Sequence, residues 1–235
     1  MMELNLIQKI AIFAIPVIFA ITLHEAAHGY AAKRFGDKTA FVLGRISLNP
    51  LRHIDPFGTV ILPLLILLLS KLTGGAGILF GWAKPVPVDY SQLKNPKRDM
   101  LWVAAAGPGA NFLMALIWIL IIRFGGMVPD QFFSTPLALM GAVGVMINTV
   151  LMVLNLFPLP PLDGGRILVS LLPNRMAWNV ARLEPYGFMI LLVLLFTGVL
   201  GAIMWPFIGL VLGLLAAMSG VDPNTLMQLI NVVLS

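Results

Sequence analysis

Three ionisable side chains stand where a lipid-facing helix should carry none. In "FAITLHEAAHGYAAKRF", residues 19–35, His24, Glu25 and His28 follow an apolar run that begins near position 5. Residues four apart lie one above the other on a single helix face, so His24 and His28 can reach one ion. Imidazole nitrogens bind Zn²⁺ at about 2.0–2.1 Å. Glu25, next to His24, is placed to act as general base toward water that such a metal activates. The same pair could instead line a solvated cavity or bond backbone carbonyls. At membrane depth ionisable residues are expensive and mark function, which favours the metal.

A catalytic zinc needs a third protein ligand and an open position. Besides His53, in "NPLRHIDPFGT", no other histidine exists, and most acids fall in polar loops. Asp163 is different: it ends "VLMVLNLFPLPPLDGG", an apolar run broken by Pro158, Pro160 and Pro161. Prolines forbid an ordinary helix there, and Gly164–Gly165 allow close backbone approach. Irregular backbone at membrane depth is tolerated where it is buried in protein or lines a wet cavity. A carboxylate at such a break suits a third ligand; a Pro-rich turn with Asp163 capping the next helix is the other reading.

The elements that must position these groups are membrane spans. Of 235 residues 59% are hydrophobic and only 11% charged, against about 25% charged in soluble domains. The mean hydropathy is +0.96. The chain is expected to be an all-α polytopic membrane protein with five or six transmembrane helices. Spans are read at roughly 5–32, 101–123, 136–157, 186–200 and 202–219. The last two form a tight helical hairpin, and "DPNTLMQLINVVLS" a short interfacial helix after it. A sixth apolar run at 58–72 contains Pro63 and is read as re-entrant. "AFVLGRISL" (40–48) and "GILFGWAKPVPV" (77–88) carry strand character. They predict a small membrane-associated β-hairpin or sheet, within about 38–90, on the cytoplasmic side. The expected division is a catalytic transmembrane core at 1–172 and a C-terminal helical hairpin and tail at 173–235.

Loops rich in Lys and Arg stay cytoplasmic. Ten such residues lie between the first span and residue 100, against Lys9 alone before it. The N-terminus is therefore expected outside, in the cell (plasma) membrane, with both polar clusters toward the cytoplasm. The net charge of +5 is no nucleic-acid signature, because the basic residues sit at membrane edges. Zero cysteines exclude a thiolate metal site. Glu3 and the lack of a small-residue cleavage site argue against a removable leader.

"HEAAH" (24–28) together with "NLFPLPPLDGG" (155–165) resembles the paired signature of the site-2 protease family of intramembrane zinc metalloproteases. The second motif, N-x-x-P-x-P-x-x-D-G, matches at Asn155, Pro158, Pro160, Asp163 and Gly164, and "AGPGAN" (106–111) resembles the family's G-P-x-x-N helix. The resemblance covers roughly 10–172, with no inserted PDZ or CBS domain. It implies one Zn²⁺ per chain held by His24, His28 and Asp163, with Glu25 as base and Asn155 as donor to the substrate carbonyl. Asn155 has a second reading, as a cap of the unwound helix end. The implied substrate is a transmembrane protein within the lipid bilayer.

A transmembrane helix hides its carbonyls in its own hydrogen bonds, so cleavage needs local unwinding and replacement bonds. An edge strand can supply them by β-addition. Val86 and Val88 are the expected substrate-binding edge, and Asn111 a third substrate-binding candidate. Asn111 and Asn148 are also expected to bond between helices. His53 reads as an exposed loop histidine at the pocket entrance, and Glu184 as a first-turn helix residue favoured by the dipole. The alternatives to a protease are a zinc-binding transporter or a catalytically silent scaffold. A transporter should show paired inverted repeats, and this sequence has a single broken helix.

Overall fold

The computed structural model describes residues 5–61, 65, 83–127 and 129–234. Helix α1 (Leu6–Phe35) opens on a capping box: Asn5 Oδ1 accepts the Gln8 N–H and Gln8 Oε1 accepts that of Asn5. At 1.5 Å per residue it is about 45 Å long, longer than the roughly 30 Å hydrocarbon core. Gly36, with φ of 120°, ends it. The Asp37 carboxylate then accepts the Thr39 and Asp89 amides. The Thr39 bond starts a single helical turn, α2 (Thr39–Val42), and Lys33 stacks its ammonium on the Phe41 ring there.

Helix α3 (Pro96–Gly125) begins with proline in its first turn, and Asp99 folds back to accept the Asn95 amide at 2.8 Å. Helix α4 (Gln131–Asn155) is capped by Asp130, which accepts the Phe132 amide. Helices α1, α3 and α4 pack on one another and hold the fully buried Val103, Ile119, Val143 and Val145. A turn at 156–162 leads into α5 (Asp163–Leu171), which lies against α3. It is followed by α6 (Asn174–Ala181), α7 (Glu184–Phe196), α8 (Val199–Ser219) and α9 (Pro223–Leu234).

Helices α1, α3, α4 and α8 are long and apolar enough to cross a membrane. They coincide with four of the five expected spans. The fifth, at 186–200, is α7, whose 13 residues reach only about 20 Å. It makes a full-length span only together with α6, from which it is bent by 61°.

The expected β-hairpin is not present among the described residues. At 40–48 the Asp37–Thr39 bond winds the chain into α2, and Gly44, at φ 63°, turns it away. Residues 83–89 carry no regular secondary structure and end on Asp89 in the extended region (φ −97°, ψ 97°), and their polar groups find side chains and loop carbonyls rather than a neighbouring strand. The Val86 amide goes to Glu25 and the Asp89 amide to Asp37, while Arg45 donates to the Lys84 and Pro85 carbonyls. Most of the expected re-entrant run 58–72, and residues 77–82 of the second strand, lie outside the described residues. What is described of the former is the end of a π-helical turn at Pro56–Ile61 and the single helical residue Leu65.

Candidate metal centre

Two stripes of residues spaced by four meet where α1 crosses α3. Ala20, His24 and His28 run along α1; Val103, Gly107 and Asn111 run along α3. His24 Nδ1 lies 2.5 Å from Asn111 Oδ1 and His28 Nδ1 lies 2.7 Å from the Val103 carbonyl oxygen. A carbonyl only accepts, so both histidines carry their proton on Nδ1 and present an Nε2 lone pair. Between them Gly107 leaves room: a Cβ there would stand 2.7 Å from His24 Nε2, and closer still to His28 Nε2.

Asp163 reaches the same point from the far side. The turn at 156–162 contains Pro158, Pro160 and Pro161, and α5 packs hard against it. A Cβ on Gly165 would come within 2.6 Å of Pro160 Cδ. Asp163 is the first residue of α5, after Leu162 at the N-cap, and its carboxylate caps nothing. It turns inward, with Oδ2 3.3 Å from His24 Nε2 and 3.3 Å from His28 Nε2; the two Nε2 atoms are 3.1 Å apart. Oδ2 is buried and receives no hydrogen bond among the described residues.

Three acceptors thus face one another at 3.1–3.3 Å with their lone pairs converging. Donors about 2.0–2.1 Å from a tetrahedral zinc stand roughly 3.3–3.4 Å apart, so the spacing fits that ion. The charge fits as well, since mutual repulsion of the three groups is relieved by a cation. Two neutral imidazoles and a carboxylate leave the fourth position of a tetrahedron open, as catalytic zinc sites do. Among the described residues this is the one cluster of three metal-ligating side chains.

The remaining candidates are distributed around this centre. Glu25 is half-buried and its Oε2 accepts the Val86 amide at 2.7 Å. Val86 itself is buried, its side chain packed near Gly29 of α1. Val88 packs on the Ala32–Leu93–Val103 cluster, and its backbone makes no hydrogen bond among the described residues. Asn155 closes α4 and donates from Nδ2 to the Leu151 carbonyl, back into its own helix. Asn111 is fully buried, its amide committed to His24, Ala20 and Asn148. His53 is buried rather than exposed. Its Nε2 faces the Ser47 carbonyl and its own carbonyl accepts the Lys84 amide, tying the 50s loop to the 83–89 segment. Glu184 opens α7 and lies 3.5 Å from Arg166. Arg166 also bonds the Tyr90 hydroxyl.

The match to the model of peptidase family M50 covers residues 12–140, more than half of the chain. The chain belongs to peptidase family M50. A Bacillus subtilis (strain 168) protein named "Putative zinc metalloprotease YwhC" is 39% identical over 195 residues, covering 82% of this chain and 83% of that one. Two mycobacterial proteins share the corresponding name with Rip2 in place of YwhC. The one from Mycolicibacterium smegmatis is 32% identical over 77% of this chain and 64% of its own length. The one from Mycobacterium tuberculosis (strain H37Rv) is 28% identical over 81% and 70%. No solved structure matches. The M50 assignment agrees with the site-2 protease resemblance of the two motifs, and makes the chain a multi-pass membrane metalloprotease.

Proposed function

We propose that this M50 protein is an intramembrane zinc endopeptidase that hydrolyses a peptide bond in or near a transmembrane segment of another membrane protein. The observation that carries the reading is the convergence of His24 Nε2, His28 Nε2 and Asp163 Oδ2, with Glu25 one residue from the first ligand. Depth supports it. Lys33 and Arg34, in the last turn of α1, mark the membrane edge. His28 and His24 lie five and nine residues before Lys33, about 8 and 14 Å along the axis.

His24, His28 and Asp163 would hold the zinc. Bound there, zinc is the Lewis acid that makes water nucleophilic at neutral pH. Glu25 accepts the proton of the attacking water at a carboxylate oxygen and later delivers it to the leaving amine. Until then the Val86 amide fixes that carboxylate, which keeps the base oriented but uses one of its oxygens. Asn155 places its second amide hydrogen toward the scissile carbonyl while the first stays on Leu151. The substrate, unwound locally, lies along the 83–89 segment. Val88 offers it both an amide and a carbonyl, the Val86 amide being engaged with the base. Asn111 serves the metal ligand rather than the substrate. The N-terminus is outside and the site opens toward the cytoplasm, a placement that the Lys and Arg distribution supports.

Replacing Glu25 with Gln separates this reading from a transporter or a silent scaffold. The E25Q protein is expected to retain one zinc per chain while cleavage of a reconstituted membrane substrate falls by about 10²–10⁴. Cleavage at the wild-type rate would overturn the assignment.

A further inference from the structure

The proton position on His24 is set by a chain of hydrogen bonds that crosses three helices. Asn148 on α4 donates from Nδ2 to the Gly144 carbonyl at 2.8 Å, and its Oδ1 accepts from Asn111 Nδ2 at 2.9 Å. Asn111 Nδ2 also faces the Ala20 carbonyl at 3.3 Å, and its Oδ1 faces His24 Nδ1 at 2.5 Å. Both asparagines have zero exposure, so water cannot substitute for any partner.

The polarity of this chain follows from its ends. Gly144 O and Ala20 O are backbone carbonyls and can only accept. Asn148 must therefore turn its NH₂ to Gly144, which points its oxygen at Asn111. Asn111 must answer with its own NH₂, which also serves Ala20, and this leaves its oxygen for His24. A ring nitrogen facing that oxygen has to be N–H, so Nε2 carries the lone pair. Reversal of the Asn111 amide would put NH₂ against Nδ1, move the ring proton to Nε2 and remove a metal ligand. His28 needs no such relay, because its Nδ1 meets the Val103 carbonyl directly.

We propose that Asn148, which touches neither the metal cluster nor the substrate path, is a positioning residue that locks the Asn111 amide and thereby holds His24 in its zinc-binding tautomer. This rests on the zinc reading above. A bland inter-helix packing role would demand only shape.

The test uses the full-length chain in detergent with two readouts. Zinc affinity is measured by competition with a chromogenic chelator, and ring-nitrogen tautomers by ¹⁵N resonance on metal-free protein, which has only three histidines. Asn148→Leu keeps the shape and removes the polar atoms. Asn148→Asp, protonated by burial in an apolar place, keeps one donor for Gly144 and one acceptor for Asn111. N148L is expected to bind zinc about tenfold or more weakly, the size typical of lost outer partners. It should show mixed His24 tautomers beside an unchanged His28, and N148D should stay within about threefold of wild type. If the leucine variant does not fold, Asn148→Ser, too short to reach Asn111, carries the same expectation. Wild-type zinc affinity and a single His24 tautomer in N148L would overturn the proposal, as would N148D as weak as N148L. A wild-type protein that binds no zinc sinks the metal reading instead, and the ¹⁵N arm then still decides the relay.

Discussion

Gly107 sets two physical effects against each other, and the metal decides the outcome. In a helix interior, Gly→Ala is worth about 0.8–1.0 kcal/mol in favour of the folded state. By propensity alone Gly107→Ala should stabilise α3. The site opposes this: the new Cβ would lie 2.6 Å from His24 Cε1 and 2.7 Å from Nε2, with His28 Nε2 nearer still. Ordinary contact begins at 3.4 Å, so the rings must retreat by at least about 0.8 Å. Zinc–ligand distances tolerate about 0.2 Å. Both imidazoles are also tied from behind, by Asn111 and by the Val103 carbonyl, so they cannot retreat together and still point Nε2 at Asp163. The expected G107A protein is folded, binds zinc about 10²-fold or more weakly, and has lost cleavage in proportion; a hundredfold is about 2.7 kcal/mol. Gly109 supplies the control, because a Cβ there meets nothing within 4 Å. G109A should keep zinc and activity and gain up to about 1 kcal/mol. Chelator competition, cleavage of a reconstituted membrane substrate and thermal melting of the apo forms measure all three quantities. Wild-type zinc affinity in G107A would refute the geometry of the centre.

Val86→Pro deletes the amide that holds Glu25 Oε2, so cleavage should fall by about 10²-fold or more with zinc content unchanged; undiminished turnover would remove the 83–89 segment from the mechanism. Stripping zinc with a chelator should lower the melting temperature of wild type, because an ion that binds only the folded state stabilises it by mass action. Asp163→Asn should show little of that shift, since its zinc affinity is already low, and an equal shift in both proteins would argue for another site. Arg123 donates to the Ser219 carbonyl at the end of α8. Arg123→Ala should cost about 1 kcal/mol and lower the melting point by a few degrees without changing zinc affinity.

How far the sequence disclosed all this depended on whether the deciding contact was local. His24 and His28 declare themselves because a helix puts residues four apart on one face, and Asp163 because prolines and glycines advertise a break. Four of the spans follow from apolar length alone. The α6–α7 bend was hidden, since α6 "NRMAWNVA" is too polar to count as part of a span. The strands are not seen among the described residues, because a segment becomes a strand only if another chain segment pairs with it. Here Glu25, Asp37 and Arg45 supply the partners. For the same reason the burial of His53 was invisible: it depends on Ser47 and Lys84 closing over it. One further signal was present in "VAAAGPGAN", where Val103, Gly107 and Asn111 repeat the spacing of Ala20, His24 and His28. Two matching period-four stripes, one bearing histidines and the other small or polar residues, predict helices whose backbones touch at the histidines.

The donors of the proposed metal site belong to opposite halves of the polypeptide: two from the first helix, and one from the first residue of α5, more than half the chain's length later. A ribosome releases them far apart in time. On the proposed zinc reading, a chain whose second half has not yet folded holds the histidine pair without its carboxylate and has no complete catalytic centre. Competence arrives only when α4 and the proline turn have docked, and metal uptake thereby reports that assembly is finished.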